Sequence, residues 1–150
     1  MLHHLRALGI RRLSPKLRAT LKGGAEALRR YLASWVEHNP GIKIANSSMK
    51  EWVRLESGME VKVYSKRIAV GGWAGEIELV AAAHSCAAEI WVWDARNGGF
   101  ERTSRFESPT STGQHIVHLL YTNGNHYDAF EPDTDELRSL LKGAEDTLSS

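Results

Sequence analysis

The stretch HIVHLLYTNGNHYDAF, residues 115–130, decides the fold of this 150-residue chain. Its first seven residues are rich in β-branched and aromatic side chains, which favour a strand. Asn123-Gly124-Asn125 is typical of a tight turn, and the segment from His126 to Phe130 then returns as a second strand. The pattern therefore predicts an antiparallel hairpin late in the chain.

A second hairpin is predicted upstream of this one. The segment from Glu89 to Asp94 is β-branched and aromatic, Asn97-Gly98-Gly99 indicates a turn, and a strand from Phe100 to Phe106 follows. Before it, Glu76 to Cys86 is rich in alanine and carries acids in its first turn, as a helix does. The four strands are expected to follow one another as an antiparallel meander.

The first half of the chain is predicted to be helical. A short helix covers His3 to Leu8, and an apolar stripe predicts a long helix from Pro15 to Val36, weakened in its middle by Gly23-Gly24. The segment from Met49 to Val53 forms a third helix, with Glu51 placed to close a capping box with Ser48. A last helix is expected from Asp133 or Thr134 through Leu141. Helices followed by strands predict one α+β domain over residues 1–150, with helices packed on a small, mostly antiparallel sheet.

Composition excludes several classes of protein. Nineteen Lys and Arg against eighteen Asp and Glu leave a net charge of +1, so nucleic acid is not an expected partner. No apolar run is long enough to span a bilayer, and Cys86, the single cysteine, can form no internal disulfide. An intracellular, cytoplasmic protein is expected. The acid-free, Arg-containing first 25 residues also resemble a transit peptide, although a solvated helix face explains them as well.

Two segments together resemble the OTU (ovarian tumour) family of cysteine proteases. The first runs from Trp73-Ala74-Gly75-Glu76 through Leu79 to Ile90-Trp91-Val92, and the second from His118 through Tyr121 to His126-Tyr127-Asp128. The resemblance covers about residues 2–131 and implies an OTU-like, papain-type domain. It also bears on residues 59–70, which are ambiguous because Met59, Val61 and Val63 alternate as in a strand, whereas Val61, Tyr64 and Ile68 lie at helical spacing. Periodicity alone favours a strand. The family has a helix directly before its Trp-Gly-Gly turn, so we expect a helix there.

The resemblance implies a deubiquitinase, which cleaves isopeptide bonds of ubiquitin or a ubiquitin-like protein and needs no cofactor or metal. It assigns His126 as the general base and Asp128 as the residue that orients it. Residues two apart on a strand point to the same face, which suits a base and its partner. Residues 132–150 are expected to add only the C-terminal helix and tail.

The cysteine nucleophile of the family is not in this sequence. The family carries it in an Asp-Gly-x-Cys motif at a helix start, and Leu2 to Leu8 resembles the helix that would follow. Met1 therefore stands near the expected cysteine. The chain is then a protease that lacks its nucleophile or, alternatively, a non-catalytic ubiquitin-binding module. Cys86 is a poor substitute because it ends a helix, where the helix dipole disfavours a thiolate.

Two further patterns have alternative explanations. His115, His118 and His126 suggest a metal site, but positions 115 and 118 of one strand point to opposite faces. Trp91 and Trp93 share one face, so they are either buried in the core or an exposed patch for a partner. Burial is the expected outcome.

Overall fold

Four helices and two sheets form across the part of the protein that its computed structural model describes, which is residues 23–72, 75–96, 98–109 and 116–129. The helices are α1 (Gly24–His38), α2 (Met49–Ser57), α3 (Val61–Val70) and α4 (Glu76–Cys86). The strands are β1 (Lys43–Ile44), β2 (Ser47–Ser48), β3 (Glu89–Arg96), β4 (Gly99–Phe106), β5 (Ile116–Thr122) and β6 (His126–Ala129). The α+β class is as predicted.

Glycine determines where α1 begins. The helix starts at Gly24, whose φ is +82°, with Gly23 at its N-cap. A positive φ interrupts a right-handed helix, so the prediction of one helix running through Gly23-Gly24 is wrong. The expected helices over 3–8 and 133–141 lie outside the described residues, as does the start of the long helix.

The capping box predicted for α2 is confirmed. The Glu51 amide donates to Ser48 Oγ over 3.3 Å, and the Ser48 amide donates to Glu51 Oε2 over 2.6 Å. These two bonds satisfy amides that have no partner within the helix. Hydrogen bonding of the Glu51 carboxylate to the Ser48 backbone amide, and then to the Ser48 side chain, lowers the pKa of Glu51.

Residues 61–70 form a helix, as the family resemblance predicts and the alternating pattern does not. The side chains buried in α3 are Val61, Tyr64, Ser65 and Ile68, at three- and four-residue spacing. Val63 and Val70 are exposed instead. The strand-like alternation of Met59, Val61 and Val63 therefore includes one surface valine, Val63.

The main sheet has the strand order β4-β3-β5-β6. Strands β3 and β4 are antiparallel, as are β5 and β6, so both predicted hairpins are confirmed. The predicted meander is wrong, because β5 pairs with β3 in parallel and not with β4. Strand β5 therefore lies on the opposite side of β3 from β4.

The core lies between the helices and one face of this sheet. Ile90 and Val92 of β3 pair with Val117 and Leu119 of β5, and all four side chains are buried against the helices. Trp91 and Trp93 point to the opposite face and are also buried, as expected.

Among the described residues, each helix is too short or too polar to cross a lipid bilayer.

Candidate functional site

The hairpin of β5 and β6 positions the two residues that the sequence singles out. Thr122 lies opposite His126, and Leu120 lies opposite Asp128. Asn123 and Gly124 have φ of 54° and 70°, which lets a three-residue loop join the strands. The loop is closed by a hydrogen bond from the Asn125 amide to the Thr122 carbonyl, 3.2 Å long, and by one from the Tyr121 hydroxyl to the Gly124 carbonyl.

His126 and Asp128 are brought together at the surface. Nε2 of His126 lies 2.9 Å from Oδ1 of Asp128, and the two side chains are 63% and 56% exposed. When Nε2 carries a hydrogen and donates it in a hydrogen bond to this carboxylate, the lone pair of a neutral ring lies on Nδ1. The pair thus presents one basic nitrogen, in a fixed tautomer, to whatever faces it.

Thr122 is a third member of this arrangement that the sequence analysis missed. Its Oγ1 lies 3.5 Å from Oδ2 of Asp128, the carboxylate oxygen that His126 does not use. Tyr127 points to the other face and packs on Tyr121, with ring centroids 4.9 Å apart. The length of the turn could have revealed Thr122, because a three-residue loop places residues 122 and 126 opposite each other.

A cavity of about 570 Å³ adjoins this hairpin. Its walls come from α1, the start of α4, β5 and β6, and His126 and Tyr127 are among the lining residues. The apolar lining is supplied by Leu28, Leu32, Leu79 and Leu119, and the charged lining by Glu26, Arg29 and Glu78. A volume of this size lies within the range of ligand-binding clefts in proteins.

Buried hydrogen bonds fix the wall of the cavity at α4. The Glu78 carboxylate accepts from the Gly75 amide and from the Tyr64 hydroxyl, each over 2.6 Å. Burial raises the pKa of Glu78, against the opposite effect of these two donors and of nearby Arg29. Burial, followed by the Glu78 charge, raises the pKa of Tyr64 as well. Glu78 therefore ties α3 to the first turn of α4, which makes its role here structural.

Cys86 lies far from His126. It ends α4 three residues before β3, whose first residue pairs with Ile116 at the start of β5. His126 pairs with Thr122 at the other end of β5, and six residues of strand span roughly 20 Å. Burial also raises the pKa of the Cys86 thiol. Neither its position nor its ionisation suits a nucleophile for His126.

The two described histidines of the predicted cluster, His118 and His126, do not meet at one site. His118 is buried against the tryptophans, and its Nδ1 accepts a hydrogen bond from Nε1 of Trp93 over 3.1 Å. His126 is exposed at the end of the hairpin, and His115 lies outside the described residues. Within the described segments, no three His, Cys, Asp or Glu side chains converge as a metal site would require.

Polar side chains surround the tryptophans on this face of the sheet. Trp91 Nε1 donates to Glu89 Oε1 over 2.6 Å, and Arg105 also binds Glu89. The guanidinium of Arg102 lies 4.3 Å from the centre of the Trp91 ring. These contacts give the Trp91 indole N–H a hydrogen-bond acceptor and place a cation over its ring. They therefore account for Trp91 and Trp93 as core residues.

Comparison with protein-family models and curated protein sequences identifies no relative of this chain. The geometry of the hairpin and the motif resemblance are therefore the observations that bear on the function of this chain.

Proposed function

We propose that this chain is an OTU-like domain that provides the base half of a thiol-protease site acting on ubiquitin conjugates. The observation that supports this most strongly is the His126–Asp128 pair, 2.9 Å apart, whose His126 also lines a cleft of about 570 Å³. The helix over residues 61–70 adds support, because the same resemblance favoured a helix where the local pattern was ambiguous.

In this proposal Asp128 holds His126 in the tautomer with its proton on Nε2. Nδ1 then takes the proton of a cysteine thiol, and the thiolate attacks the carbonyl carbon of the isopeptide bond. The proton passes from Nδ1 to the leaving lysine amine as the carbon–nitrogen bond breaks. Water subsequently hydrolyses the thioester, with His126 again acting as base. The cysteine must be one other than Cys86.

The test is to extend the chain with an Asp-Gly-x-Cys segment ahead of Leu2 and measure hydrolysis of a fluorogenic ubiquitin conjugate. We expect turnover in the extended chain and none when the added cysteine is replaced by Ala. H126A should lower kcat by at least about 100-fold, the usual contribution of a general base. His84→Ala, which removes a half-buried histidine at the end of α4, is the matched control and should retain activity. An extended chain that is folded but inactive would refute the proposal.

A non-catalytic ubiquitin-binding module is the second candidate. The position of Cys86, at the opposite end of the sheet from His126, favours it for the 150 residues as they stand. This candidate predicts that the unextended chain binds ubiquitin and that H126A binds with unchanged affinity. Absence of ubiquitin binding in a titration calorimeter would eliminate it.

A further inference from the structure

The outward face of α3 has an unusual composition. Its exposed side chains are Lys62, Val63, Lys66, Arg67 and Val70, and no acidic residue occurs in the helix. Val63 is 57% exposed and Val70 is 88% exposed. Because positions 63, 67 and 70 follow each other at four- and three-residue steps, the two valines and Arg67 lie along one stripe. The two lysines, one turn apart, flank it.

The three cations of this face have no carboxylate partner within the described part of the chain. The ion pairs of the neighbouring segments involve other residues, and Glu60, the acid next to α3, pairs with Arg54 over 2.6 Å. Arg67 instead contacts the sulfur of Met59 at 4.0 Å. An isolated ion pair at a surface contributes little to stability, so unpaired cations are tolerated here and remain available to a partner.

The inner face of α3 holds the helix in place. Val61, Tyr64 and Ile68 are buried in the core, and the Tyr64 hydroxyl donates to Glu78. Helix α3 therefore presents a rigid surface about 10 Å long between Val63 and Val70, at 1.5 Å per residue. A surface that is ordered before binding loses little conformational entropy when a partner docks.

We infer that this face of α3 is a docking surface for an acidic protein segment that carries apolar side chains. Three cations with no carboxylate partner among the described residues call for carboxylates, and two exposed valines call for apolar groups spaced about two helical turns apart. A lipid surface fits less well, because membrane-binding helices present Trp, Phe or Leu, and α3 presents only valine. Nucleic acid fits less well because it offers nothing apolar for the two valines. The inference does not depend on the proposed protease activity.

The experiment titrates the 15N-labelled chain with a 14-residue helical peptide that has Leu at positions 3 and 10 and Glu at the flanking positions. We expect chemical-shift changes concentrated in residues 62–70. Affinity should fall as sodium chloride is raised, because screening weakens exposed charge pairs. A peptide with Ser in place of both Leu should bind at least threefold more weakly.

Variants separate the charged and apolar parts of the surface. K62Q/K66Q should weaken binding about five- to tenfold, since each exposed charge pair contributes modestly. The matched control is K43Q/K50Q, which removes two exposed lysines outside α3 and should change affinity less than twofold. V63S/V70S should weaken binding about threefold or more, and its amide spectrum reports whether the fold is kept.

Three results would overturn the inference. Shift changes that map away from α3 would place the binding elsewhere. Equal losses in K62Q/K66Q and K43Q/K50Q would mean that only net charge matters. Binding of α3 to phosphatidylserine vesicles without binding to the peptide would assign the face to a membrane.

Discussion

Replacing Tyr64 by Phe tests what fixes the wall of the cavity. The substitution removes one hydroxyl, which donates to Oε1 of Glu78 over 2.6 Å between two buried side chains. A hydrogen bond to a charged group contributes about 1.5–3 kcal/mol, so we expect Y64F to lose about 2 kcal/mol of unfolding free energy. For a chain of this length, that loss lowers Tm by roughly 4–8 °C.

The loss should depend on pH. The Tyr64 hydroxyl lowers the pKa of Glu78, whereas burial raises it more strongly, so Y64F should raise that pKa further. An ionised Glu78 carboxylate is stabilised by the hydrogen bond from the Tyr64 hydroxyl, whereas a protonated carboxyl group does not require it. The loss of unfolding free energy caused by Y64F is therefore greatest above the pKa that Glu78 has in the variant. It shrinks as the pH falls through that pKa.

Urea unfolding between pH 8 and pH 4.5, followed by circular dichroism, measures this difference. The matched control is Y121F, which removes a hydroxyl that binds the Gly124 carbonyl at the surface and should cost about 0.5 kcal/mol or less at every pH. A Y64F penalty below about 0.5 kcal/mol at pH 8, or one that is the same at pH 4.5, would refute the reasoning.

Three other predictions follow from single contacts. Ser48→Ala breaks the capping box of α2 and should cost about 1 kcal/mol in urea unfolding, whereas Ser47→Ala should cost much less. Ile90→Ala opens a cavity at a fully buried position and should cost about 3 kcal/mol, and a loss under 1 kcal/mol would contradict its placement. Burial raises the pKa of the Cys86 thiol, so iodoacetamide at pH 7.5 should modify it at least tenfold more slowly in the folded chain than in urea. Equal rates would show an accessible thiol.

Local patterns predicted most of the elements and both hairpins, but not how the two hairpins pair with each other. The cap at Ser48 and the turn at Asn123-Gly124 are chemical requirements of short segments, so sequence alone reveals them. The parallel pairing of β3 with β5 depends on contacts between distant residues. Neither strand contains a local signal for it, and consecutive hairpins made a meander the simpler expectation.

The helix over residues 61–70 shows why a local pattern can mislead. Alternation of apolar and polar residues predicts a strand only if the apolar residues are buried. Val63, the last residue of the alternation, is exposed, so the pattern that governs this segment is the three- and four-residue spacing of its buried side chains. The family resemblance gave the right answer because it compares the whole order of elements.

The candidate site was predictable where it depends on strand periodicity. His126 and Asp128 are two residues apart on one strand, and the structure joins them by a hydrogen bond. Thr122 belongs to the neighbouring strand, so its contact with Asp128 required the register of the hairpin. The cleft requires α1 and α4 to be placed against β5 and β6, which no local pattern contains.

The most direct test of the proposed function is intact mass after incubation with ubiquitin that carries an alkyne electrophile at its C-terminus. The chain extended by Asp-Gly-x-Cys should gain the mass of one ubiquitin, with the modification at the added cysteine. The unextended chain, whose single thiol is Cys86, should gain none. An extended chain that is folded but forms no adduct, or an adduct at Cys86, would contradict the assignment of His126 and Asp128 as the base half of a thiol protease.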